Sequence, residues 1–174
     1  MNKKIKSLVL AAVMGLSLTT VAVVPTTVEA ASAGAAETLI GGAVAYAYVS
    51  TAFNKMDNSK EGQEQSLARA KKQTGYLEDS AAQARVQRIM KTLEASPSVK
   101  RSYVVYANPS DDFNAFATVG RVMSVNKGAL DLLDDDELAY VMAHEISHGE
   151  HKDIVNGLKK QVGLSTAVSL AAGG

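Results

Sequence analysis

His144, Glu145 and His148 are residue types that can bind a metal and move a proton, at a spacing that lets them act on one ion. All three histidines of the 174-residue chain fall within AYVMAHEISHGEHKD, Ala139 to Asp153. On a helix, positions four apart stand about 40° around the axis and one turn along it. Both imidazoles can then reach one ion at the roughly 2.0–2.1 Å that zinc requires. Glu145 follows the first histidine directly, so it can reach a water at that ion without being a ligand. Two nitrogen ligands, a Lewis acid and a general base together make amide-bond hydrolysis the expected reaction. His144 and His148 are therefore the candidate metal ligands and Glu145 the candidate catalytic base. The expected cofactor is Zn2+, one per chain, although other divalent ions of similar preference fit the same donors.

A hydrolytic zinc site needs a third protein ligand and an open fourth position. His151 shares the helix face but stands about 4.5 Å beyond His148 along the axis, so an ion held by the first pair is hard for it to reach. A glycine turn returning a third histidine needs glycine at position 151 and histidine at 154, where His151 and Ile154 stand. His151 reads as a rim residue, and Glu150 and Asp153 as surface carboxylates.

The elements that must position these residues are legible in outline. Asp134 opens the active helix as N-cap, with Glu137 as its capping-box partner. Lys127 to Leu133 reads as a short helix before it. Ser102 to Ala107, Asn114 to Thr118 and Val122 to Val125 read as strands of a small sheet. Ala82, Val86, Ile89, Met90 and Leu93 place one apolar stripe on a helix running from Tyr76 to near Ser96-Pro97. Arg85, Arg88 and Lys91 then fall on its solvated face. Gln63 to Thr74 reads as a mostly polar helix interrupted by Gly75, and Asn54 to Gly62 as a polar loop. Thr38 to Phe53 is apolar but short for a membrane span, and a buried helix is the simplest reading.

Composition sets the class. With 47% hydrophobic and 21% charged residues the chain is an ordinary folded protein, and its formal net charge of zero leaves no field to draw it to nucleic acid. Lys3, Lys4 and Lys6, an apolar run from Leu8 to Leu18 and the small-residue patterns ending at Ala30 and Ala33 form a signal peptide, residues 1–33, cut after residue 30 or 33. The expected location is therefore exported, in a periplasm or outside the cell. There is no cysteine, which excludes both a disulfide and a lipid-modified cysteine.

DDFNAFATVGRVMSVNKGALDLLDDDELAYVMAHEISHGEHKD, Asp111 to Asp153, resembles the core of the zinc metallopeptidases that include HtpX and the CAAX prenyl proteases, especially their soluble exported bacterial branch. The likeness rests on Asn114-Ala115-Phe116-Ala117, on Gly128 to Leu133 and on Glu137 to His148. It implies an α+β, mostly helical, zincin-like core with a two- to three-stranded sheet beside the His-Glu-x-x-His helix, residues 34–174 being the N-terminal part of that catalytic domain. It also implies that His144 and His148 bind zinc, that Glu145 is the base, and that Asn114, Ala115, Phe116 and Ala117 form an edge strand to which an extended peptide adds. The family pattern has Pro-Gly-Gly where this chain has Val119-Gly120-Arg121. Its third ligand is a glutamate on a later helix; no glutamate follows Glu150 here, so the expectation is a chain that stops before that ligand.

The leading expectation is thus an exported zinc endopeptidase acting on protein or peptide substrates, in the setting of envelope protein quality control. A second reading is a non-catalytic peptide-binding or chaperone-like module on the same fold, or an inactive fragment of a longer peptidase. A third, less favoured, has Thr38 to Phe53 and Gly163 to Ala172 associate with a membrane.

Overall fold

The computed structural model describes residues 47, 50–157 and 159–160. The expected signal peptide, the Gly163 to Ala172 segment and most of Thr38 to Phe53 lie outside these residues. Among the described residues no helix is long and apolar enough to cross a membrane.

Residues 50–58 are helical, which corrects the loop expected over Asn54 to Gly62. The polar composition misleads because Asp57 is buried, and the Arg101 side chain that pairs with it comes from far along the chain. Ser59 then caps α1, Lys60–Thr74, its hydroxyl accepting from Gly62 N at 3.0 Å. The helix is polar, as expected, yet one face is covered: Ser66 and Ala70 are buried, and Ala70 packs with Tyr106 and Val122.

Helix α2, Ser80–Glu94, starts four residues later than Tyr76. Asp79 accepts from Ala81 N and Ala82 N, and Leu77 N is already committed to Ala107 O at 3.0 Å. Val86, Ile89 and Met90 are buried along the expected stripe. The solvated basic face needs correction at Arg85. Its guanidinium donates to Leu130 O at 2.8 Å, to Leu133 O at 2.7 Å and to the Asp135 carboxylate at 2.7 Å. Three donors in a fixed fork suit this role, which a lysine could not fill.

The sheet has three strands, β1 Val104–Asn108, β2 Ala115–Thr118 and β3 Val122–Asn126, in the order β1-β3-β2. β1 runs parallel to β3, with Val104 beside Val122, and β2 antiparallel, with Ala117 beside Met123. The outer edge of β1 is covered by α2: Gln83 exchanges two hydrogen bonds with the Ala107 backbone, and Tyr103 N donates to Glu94. The β2–β3 turn has Gly120 at φ 85° and Arg121 at φ 60°. Both lie in the left-handed region, so the turn keeps a glycine-type backbone even where arginine stands.

Asn126 leads into α3, Lys127–Leu132, and Asp134 into α4, Asp135–Glu150. One core forms where α2 and α4 meet the sheet, built from Val86, Ile89, Met123, Val125, Leu138, Val141, Met142 and Ile146 among others. The mostly helical α+β architecture is as expected.

Candidate active site

Helix α4 carries the three candidate residues and is fixed at both ends. At its start the capping box forms as expected: Asp134 Oδ1 accepts from Glu137 N at 2.9 Å, and Glu137 Oε2 accepts from Asp134 N at 3.1 Å. Asp135 pairs with Arg85 and with Arg88 at 2.8 Å. At its end, Gly149 lies so close to Tyr103 that a Cβ would meet the phenol oxygen at 2.5 Å. Tyr103 donates to Glu150 Oε1 at 2.8 Å, and Glu150 also accepts from Lys100 N and Arg101 N. Glu150 is therefore a half-buried anchor for the approach to β1, a correction to the surface carboxylate expected from sequence. Burial and the Glu150 charge push the Tyr103 phenol far above its ordinary range, so it stays a donor.

With Leu138, Val141, Met142 and Ile146 turned into the core, His144 and His148 fall at the margin and Glu145 beneath them. The two imidazoles stand edge to face with Nε2 atoms 3.2 Å apart. Two nitrogens bound to one tetrahedral zinc at 2.0–2.1 Å stand about 3.3 Å apart, so the pair fits the ion. Among the described residues no group of three His, Cys, Asp or Glu side chains converges to hold a metal, so these residues supply two donors. Burial, then the neighbouring His148, pushes His144 below the usual histidine range, which favours the neutral form a metal needs.

Glu145 is 2% exposed. Its Oε2 accepts from Ala117 N at 3.2 Å, while Oε1 is buried with no partner. A buried carboxylate oxygen without a donor is costly, and this one belongs to the residue that follows His144 on the helix. Burial raises the Glu145 pKa against the opposing pull of the Ala117 N–H, which moves the group toward the range of a useful base.

β2, which holds Ala115, Phe116 and Ala117, is an edge strand of the sheet and packs against α4. Ala115 and Ala117 are buried; Asn114 and Phe116 are half-buried, and the Asn114 carbonyl accepts from Asn126 N at 3.0 Å. His151 is exposed, with Nδ1 2.7 Å from Ser147 O on its own helix. Asp153 is a surface carboxylate, as expected, and its Oδ2 lies 3.0 Å from His148 Nδ1. No local pattern locates that contact, because it depends on the left-handed Lys152.

Residues 77–174 match the sequence model of peptidase family M48. The chain is also similar to proteins described as "Protease HtpX homolog". The one from Salinibacter ruber is 50% identical over 52 residues, covering 27% of this chain and 18% of that protein. The one from Desulforapulum autotrophicum is 39% identical over 77 residues, 41% and 23%. The one from Methanocaldococcus jannaschii is 43% identical over 70 residues, 37% and 22%. These matches span less than a quarter of each relative's length.

Proposed function

The chain belongs to peptidase family M48, and we propose that it works as an exported zinc endopeptidase in which Glu145 is the general base. The observation that carries the reading is a buried, half-satisfied carboxylate on the residue after His144, on the same helix that holds the His144 and His148 Nε2 atoms 3.2 Å apart. His144 and His148 would hold the ion as two of its ligands; the glutamate on a later helix that the resemblance implies as the third is not among the residues of this sequence. Zinc would supply Lewis acidity, polarising the scissile carbonyl and making water acidic enough to lose a proton near neutral pH. Glu145 takes that proton on Oε1 and delivers it to the leaving amine nitrogen. The Ala117 N–H holds Oε2 meanwhile, so the carboxylate keeps its aim during both transfers.

The substrate is an unfolded or extended protein segment running beside β2, where Asn114 and Phe116 are half-buried and the Ala117 N–H reaches Glu145. Hydrolysis of misfolded envelope proteins is the setting that export would give such an activity. The test is zinc content per chain of the purified protein, together with casein cleavage by the wild type and by Glu145→Gln. One zinc per chain and loss of cleavage in the variant support the reading. Peptide binding without hydrolysis would favour the non-catalytic module, and a chain that retains no zinc would sink the proposal for these residues.

A further inference from the structure

We propose that Asp153 is a positioning residue for the metal: it holds His148 in the Nδ1–H tautomer, leaving the Nε2 lone pair free toward His144. The inference rests on the metallopeptidase reading. On an uninterrupted helix, residue 153 would stand about 140° around the axis from His148, out of its reach. The chain solves this with a turn. α4 ends at Glu150, His151 N donates to Ser147 O at 3.1 Å, and Lys152 takes φ 58° with its N–H on Gly149 O at 3.1 Å. That left-handed residue, at the position where helix ends favour glycine, redirects the chain into the helical residues 153–157, with the Asp153 side chain against His148.

The hydrogen-bond chemistry then fixes the tautomer. A neutral imidazole has one N–H and one acceptor nitrogen, and an ionised carboxylate can only accept. With Asp153 Oδ2 3.0 Å from Nδ1, the proton belongs on Nδ1 and Nε2 is the bare nitrogen. In the metal-free protein the 3.2 Å Nε2 contact is then a bond donated by His144 Nε2–H and accepted by His148. Because the Asp153 side chain is 53% exposed, the effect on affinity belongs at the lower end of the usual range, about tenfold.

The experiment uses the full chain labelled with 15N-histidine, stripped of metal and held near pH 8, above the ordinary histidine range. Two-bond 1H–15N spectra read the His148 tautomer, and competition with a chromophoric chelator reads zinc affinity. In the wild type His148 carries its proton on Nδ1. Asp153→Ala shifts it toward Nε2 and weakens zinc binding about tenfold. Asp153→Asn, whose amide oxygen accepts the same bond, keeps the tautomer and binds zinc better than Asp153→Ala. A wild-type proton on Nε2, an Asp153→Ala variant with unchanged tautomer or zinc affinity, or an Asp153→Asn variant no better than alanine would each overturn the proposal. If the wild type takes up no zinc, the peptidase reading fails, and the tautomer spectra alone decide the role of Asp153.

Discussion

Glu145 sets function against stability within one side chain. Its carboxyl is almost fully buried, its pKa is raised by that burial, and one oxygen has no partner. An acid whose folded pKa lies above its unfolded value favours the folded state on protonation, so it weakens folding at pH values above that folded pKa. Glu145→Gln keeps the acceptor for Ala117 N–H and removes the buried charge. The metal-free variant should therefore melt at or above the wild-type temperature at pH 7, and the difference should shrink as pH falls toward about 4. Thermal melts at the two pH values check it; a variant clearly less stable at pH 7 would show that the carboxylate is held by something other than Ala117. At this scale the sequence was informative where the chemistry lies within one helix. The i, i+4 histidines and the intervening glutamate could be placed from helical geometry. Asp153 could not, because its position depends on a left-handed turn at a lysine, and Glu150 could not, because its donors come from residues 100, 101 and 103.

The active helix is aimed by what grips its two ends. Arg85 satisfies two carbonyls near the end of α3 and pairs with Asp135 at the start of α4, so replacing it removes the donor to both carbonyls and leaves Asp135 with Arg88 alone. Arg85→Met should cost about 2 kcal/mol, read from urea unfolding with an unchanged slope. The same pair predicts an acid effect. Hydrogen bonds from Arg85, then Arg88, hold the Asp135 carboxyl below its ordinary range. Its contribution is complete above the unfolded value, about pH 4, and is lost as pH falls through the lower folded value. Asp135→Asn should accordingly lose less stability than the wild type between about pH 5 and pH 2. At the other end, Gly149→Ala forces a methyl against Tyr103 and should cost about 1–3 kcal/mol by overpacking, checked by thermal melts. The capping box, the apolar stripe of α2 and the strands on either side of Gly120 were all readable, since each is local and periodic. The role of Arg85 was not, because its partners lie 45 to 50 residues away. A basic residue on a helix flank looks solvated until the neighbouring helix is in place.

At the scale of the molecule, Arg101 joins segments that no local pattern connects. It enters the fold just before β1 and donates to Gly149 O at 2.7 Å, to Asp57 O at 2.7 Å and to the Asp57 carboxylate. Asp57 in turn accepts from Gly120 N at 3.3 Å. One ion pair thus ties the helix at residues 50–58 to the β2–β3 turn and to the end of α4. This explains why residues 54–58 are helical against their polar composition: a buried aspartate needs its guanidinium, and the sequence around position 57 does not reveal it. With side chains only 14% and 7% exposed, removing one partner should leave an uncompensated buried charge. Arg101→Met should cost about 3 kcal/mol, the lower end for a broken buried pair because some water reaches it. Arg101→Met with Asp57→Asn should recover part of that loss, since no charge is then stranded, and the difference between the two measures the pairing. The functional consequence runs through Gly149, which lies one residue beyond His148 and anchors the turn at Lys152. Loosening that end should weaken zinc binding in the single variant and leave Glu145, held by Ala117, in place. Chelator competition on the folded variants checks this. Unchanged affinity alongside lost stability would mean that the turn carrying Asp153 holds itself without Arg101.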